Sequence, residues 1–100
     1  MGGAGDEKPI RQPATFTVGA GAVVPSSISV APFLAVSLTV VNADEAVHRI
    51  RLAGTGVAFE VAPGEAETRV LPGLKSGRYA LGVDSRAAPA VLVVGGQAGG

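Results

Sequence analysis

Val47-His48-Arg49-Ile50-Arg51-Leu52 is followed, after Ala53, by Gly54-Thr55-Gly56 and then by Val57-Ala58-Phe59-Glu60-Val61. On an extended chain His48, Ile50 and Leu52 share one face, while Val47, Arg49 and Arg51 share the other. Two such runs about a glycine turn read as neighbouring strands. The pattern continues in both directions. Upstream, Thr15 to Val18, Ser27 to Val30 and Leu34 to Val41 alternate polar and apolar residues, and Asn42 to Ala46 reads as a turn. Downstream, Pro63-Gly64 turns the chain into Glu65 to Leu71, and Pro72-Gly73 and Ser76-Gly77 frame a loop. Arg78 to Val83 then carries Tyr79, Leu81 and Val83 in phase, and Val91 to Val94 closes the series. The expected fold is all-β, a Greek-key antiparallel β-sandwich or barrel of about eight strands. Helical spacing without an intervening Gly or Pro is absent, so a βαβ fold is excluded.

With 100 residues, 47% hydrophobic and 16% charged, the chain suits one domain and is too apolar for an intrinsically disordered one. Residues 1–13, MGGAGDEKPIRQP, are Gly-rich and aperiodic and read as a flexible linker; 95–100, GGQAGG, read as a flexible tail. The domain is expected over 14–94. The formal net charge is zero. A chain so balanced gives no basic footprint for nucleic acid or for an anionic membrane, and no apolar run reaches the roughly 18 residues of a membrane-spanning helix. Cysteine is absent, which removes disulfides, thiolate nucleophiles and Cys-based metal sites.

Three segments in order carry a resemblance. Asn42-Ala43-Asp44-Glu45-Ala46-Val47-His48 resembles the Asn-x-Asp-x-x-x-His of the cupredoxins, the small β-sandwich proteins related to plastocyanin and azurin. Val61-Ala62-Pro63-Gly64-Glu65 is similar to the Pro-Gly-Glu turn of many bacterial members. Ser76-Gly77-Arg78-Tyr79-Ala80-Leu81-Gly82-Val83 follows the Gly-x-Tyr-x-x-x-Cys pattern up to its last position. The resemblance implies a cupredoxin-like fold over about eighty residues, Phe16 to Val94.

It also implies what has been lost. A blue-copper centre needs two imidazoles and a thiolate, with a weak axial thioether. In the family His48 would be the first ligand; the thiolate position is Val83, the second imidazole falls near Arg86, and the thioether falls among Ala87, Ala88 and Ala90. One imidazole cannot hold copper against competing ligands. We expect no metal site, no cofactor and no electron transfer. The alternative is copper, held by His48 with donors from elsewhere, as in a periplasmic carrier. His48 is otherwise expected as a buried or half-buried neutral imidazole, one ring nitrogen donating to a backbone carbonyl or to a side chain such as Asn42. Asn42 is expected to tie loops together, and Tyr79 to be a core aromatic with its hydroxyl on a loop.

Other chemistry finds no support in the spacing. His48, Asp84 and Ser85 could approach one another, but no nucleophile-elbow motif accompanies them. Asp44 and Glu45 read as solvated turn residues. Glu60, Glu65 and Glu67 read as exposed positions balanced by Arg49, Arg51 and Arg69 on neighbouring strands. No enzyme activity is expected. The expected role is an extracytoplasmic binding or structural module with a protein partner or larger assembly, no nucleic acid and no direct membrane insertion. Its contact surface is expected at the end bearing His48, Asp84, Ser85 and Arg86, since loops on a rigid sandwich carry recognition.

Overall fold

The computed structural model describes residues 11–84 and 86–95, with all of their side chains except those of 86–88. Nine strands follow one another: β1 (Arg11–Gly19), β2 (Ala22–Val24), β3 (Ser27–Val30), β4 (Ala35–Asn42), β5 (His48–Leu52), β6 (Val57–Val61), β7 (Ala66–Leu71), β8 (Gly77–Val83) and β9 (Arg86–Val94). They form a four-stranded sheet in the order β2-β1-β4-β7 and a five-stranded sheet in the order β3-β9-β8-β5-β6. The all-β sandwich is as expected, but it is not wholly antiparallel: β1 runs parallel to β4 and β3 parallel to β9, because in each case the chain crosses between the sheets before it returns, so both sheets are mixed.

Alternation places the core. In β4 Val36, Leu38, Val40 and Asn42 are buried while the residues between them are partly exposed. In β5 the buried set is His48, Ile50 and Leu52. Phe16, Leu81 and Leu92 fill the space with them. Each such aliphatic or aromatic side chain contributes about 1.5–3 kcal/mol on burial. One-residue slippage would turn every one of them outward, so the register is strongly held.

Three boundaries differ from the sequence reading. β1 begins at Arg11, three residues inside the stretch expected to be linker. There β1 extends past β2 and has no neighbour on one side among the described residues, the setting in which a strand tolerates a proline such as Pro13. Gln12 anchors this extension: its side-chain amide donates to the Ala31 carbonyl at 2.9 Å and accepts from the Ala31 N–H at 2.6 Å. β9 begins at Arg86 rather than Val91, so Val83 and Arg86 face each other across a tight turn. The short β2 is the ninth strand. The remaining linker and tail residues, 1–10 and 96–100, lie outside the described residues.

Edge strand β7 holds a further difference. Glu67 and Arg69 oppose Val40 and Leu38, so they lie on the face turned toward the other sheet, yet at this open edge both side chains stay largely exposed, as expected of Glu67. Arg69 lies over the Phe59 ring, 4.6 Å from its centroid, and donates to Glu67 at 3.2 Å. The pair closes the open side of the sandwich with a cation–π contact. Glu67 is thus balanced on its own strand, whereas Glu60 meets Arg49 across strands at 3.1 Å as expected.

The loops divide between two ends. Phe33 N–H donates to Leu74 O and Gly95 N–H to Val30 O, which gathers the β3–β4 and β7–β8 loops with both ends of the described chain. At the opposite end Asn42, Gly64, Asp84 and Ala43 join the β1–β2, β4–β5, β6–β7 and β8–β9 connections.

Candidate functional site

His48 opens β5 on its buried face, at the end where four connections meet. Beneath it Asn42, 1% exposed, ends β4. The Asn42 amide donates to Ala46 O at 2.7 Å and to Val61 O at 2.9 Å, and its carbonyl oxygen accepts from Asp44 N–H at 2.8 Å. Asn42 thus ties the β4–β5 loop to β6, the role expected of it. A buried amide with all three bonds made is rigid, and losing it would strand two carbonyls.

The turn that Asn42 shapes brings Asp44 back to His48. Asp44 Oδ2 lies 2.8 Å from His48 Nε2, while its Oδ1 accepts from the Ala20 N–H at 3.0 Å. On the other side of the ring Asp84 Oδ2 lies 2.7 Å from His48 Nδ1. Asp84 Oδ1 accepts from Arg49 N–H at 2.9 Å, and Asp84 N–H donates to Arg49 O at 2.7 Å. Asp84 occupies a left-handed backbone conformation, φ 56°, which Asp tolerates better than most residues. The chain of contacts Ala20–Asp44–His48–Asp84–Arg49 crosses from one sheet to the other.

The partner is a side chain, as the expectation allowed, but there are two of them, both carboxylates and neither Asn42, which corrects the expectation of a neutral imidazole. Two ionised carboxylates are acceptors only, so both ring nitrogens must carry protons. The hydrogen bond to Asp84, then that to Asp44, raises the pKa of His48 above its ordinary 6.5, against the lowering effect of burial. Below this raised pKa the site holds an imidazolium between two carboxylates. Asp44 is therefore a partner of His48, not a solvated turn residue. The signal was in the Asn-x-Asp-x-x-x-His spacing, read for its His alone.

Of the expected contact surface, the structure brings His48 and Asp84 together. Arg86 starts β9, with its side chain outside the described atoms, and Ser85 lies outside the described residues. A Ser-His-Asp relay needs one ring nitrogen turned to the nucleophile. Here Asp44 holds the nitrogen that Asp84 leaves. Tyr79 is partly buried against the core and donates to Lys75 O at 2.7 Å, as expected.

No family model and no curated protein matches the sequence. Solved structures do match. A copper binding protein solved in its apo form superposes with a TM-score of 0.72 at 15% identity, covering 88% of this chain and 91% of the other. Auracyanin B gives 0.68 at 15%, covering 88% and 91%. The auracyanin of the photosynthetic bacterium Roseiflexus castenholzii gives 0.69 at 14%, covering 83% and 96%. The fold is that of the cupredoxins.

A copper centre does not fit this cupredoxin sandwich, for three reasons carried by its side chains. Val83, at the thiolate position, is 0% exposed and packs with Ile50, its cross-strand partner, in the core. The ligand-bearing loop is replaced by a tight hairpin, so positions 86–90 belong to β9. Residues along a strand alternate between faces and cannot converge on one ion. Last, His48 is held by carboxylates on opposite sides of its ring, and a cation would have to displace a proton and one of them. Among the described residues no group of three or more His, Asp or Glu could hold a metal ion.

Proposed function

We propose that this chain is a copper-free cupredoxin-like module with a structural or binding role outside the cytoplasm, using no cofactor and carrying neither electrons nor a catalytic site. One observation carries the reading: the imidazole that would begin a copper centre is an imidazolium clamped by Asp44 and Asp84. A redox ligand must present a lone pair. This ring presents none. It braces loops from both sheets, the work of a scaffold. The placement outside the cytoplasm rests on resemblance to the cupredoxins, and fractionation of cells expressing the native gene tests it. The partner is a protein or a larger assembly, not nucleic acid.

Titration of the hundred-residue chain with Cu(II), followed by visible and electron paramagnetic spectra, tests the reading. The expected result is no tight one-to-one site and no spectral difference between the native chain and His48→Gln. A tight stoichiometric site lost in His48→Gln would overturn it in favour of a copper carrier.

A further inference from the structure

His48 is the one histidine of the chain, and its two hydrogen bonds do different work. The bond at Nδ1 stays within the five-stranded sheet: Asp84 follows β8, and its Oδ1 and its N–H are both fixed to the Arg49 backbone, one residue from His48. The bond at Nε2 leaves that sheet. Asp44 follows β4 of the four-stranded sheet, its N–H donates to Asn42 Oδ1, and its Oδ1 accepts from Ala20 N–H in the β1–β2 turn. Through Asp44 the proton on Nε2 thus links β5 to a turn of the other sheet.

That turn depends on what holds it. Gly19 pairs with Ala22, so Ala20 and Gly21 form a two-residue hairpin loop, and both lie in the left-handed region, at φ 51° and 76°. Such a loop needs that conformation at both positions. Glycine adopts it freely, whereas the Cβ of alanine disfavours it. Beyond the loop β2 adds three residues of pairing, Ala22–Val24. The Asp44 carboxylate, receiving the Ala20 N–H at 3.0 Å, supports a turn with little of its own to steady it.

Among the described residues two charged groups face the ring, Asp44 from the β4–β5 loop and Asp84 from the β8–β9 turn. β4 brings the neutral Asn42, and β6 brings Val61, the cross-strand partner of His48. Arg49, next along β5, is turned to the outer face and held by Glu60. A ring that loses one proton keeps one N–H, and its bare nitrogen then sets a lone pair against a carboxylate. Asp84 cannot retreat without giving up its bonds to Arg49. Asp44, with a side chain 31% exposed, can turn to solvent, and the turn it bonds to can move with it.

We propose that the Nε2 proton of His48 is a switch on the β1–β2 turn: while it is bound, Asp44 is held against the ring and the turn is ordered; when it leaves for solvent, Asp44 swings away and the turn loosens, with His48 still joined to Asp84. A protonation event in one sheet is thereby read out in the other. The two carboxylates raise the pKa of the ring above its ordinary 6.5, so the turn is ordered at and below that value and loosens as pH rises through the raised one.

Nuclear magnetic resonance of the hundred-residue chain, taken upward from about pH 6, tests it. The ring nitrogens should show Nε2 becoming bare while Nδ1 keeps its proton. At the same midpoint the Ala20 N–H should lose roughly tenfold in protection from hydrogen exchange, corrected for its intrinsic rate, while the Arg49 N–H loses less than about twofold. His48→Gln should show no such midpoint at Ala20. Asp44→Asn should keep Ala20 protected across the range, because a carboxamide can donate to the bare nitrogen and still accept from Ala20. Protection at Ala20 that does not follow the ring, a midpoint that survives in His48→Gln, Asp44→Asn that opens like the native chain, Nδ1 as the nitrogen left bare, or Arg49 opening together with Ala20 would each overturn the proposal.

Discussion

The two ends of this sandwich are built on opposite principles. At the His48 end both buried polar side chains among the described residues are answered: Asn42 makes three bonds, and His48 has a carboxylate on each nitrogen. At the Phe33 end an aromatic ring is held out in solvent on a backbone conformation that disfavours it. Cohesion is concentrated at one end and strain at the other. In a fold whose loops are carried by a rigid core, the two ends can diverge because neither has to support the other.

The contrast can be broken most sharply at Asn42. Asn42→Ala strands the carbonyls of Ala46 and Val61 at a buried position, and is expected to cost about 3 kcal/mol in urea unfolding. A loss below about 1 kcal/mol would mean the loops stand without it. At the other end Gly73→Ala drives a Cβ into rigid Phe33 backbone and should cost about 2 kcal/mol, a fall of several degrees in melting temperature. Normal melting of that variant would show that the tip can relax, and that the strain is not imposed.

The next effect is one of pH. The folded pKa of His48 is raised above its unfolded value near 6.5, so the folded state binds its proton more tightly. The stabilisation is therefore fully present below that unfolded value and is lost as pH rises through the folded one. Melting temperature measured upward from pH 6 should fall in the native chain and stay flatter in His48→Gln; equal slopes would refute the clamp. The smallest effect has the opposite sign. Phe33→Gly relieves the left-handed backbone, and after the greater entropy of glycine in the unfolded chain it should raise stability by about 0.5 kcal/mol. A clear loss would mean Phe33 serves the fold and not a surface.

Strand positions were readable because burial alternates with period two, and runs such as His48-Ile50-Leu52 admit one inward face. The loss of thiolate was equally plain from Val83. At β7 the same logic gave the exposure of Glu67 and Arg69 but not their face, which the register turns toward the other sheet. At an open edge the inward face is only partly covered, so charged residues can lie on it. Pro13 was counted with the linker because residues 1–13 are Gly-rich and aperiodic, and sheet context overrides that weak local preference.

The order of residues along the chain was enough for the all-β class, for the cupredoxin-like pattern and for the missing copper ligands, since those follow from periodicity and residue chemistry. The clamp on His48 and the exposed tip at Phe33 could not be read that way. Asp84 reaches His48 across 36 positions, and the Phe33 backbone is held by Leu74 from a distant loop. Electrostatic relationships depend on distance in space, and folding alone sets that distance.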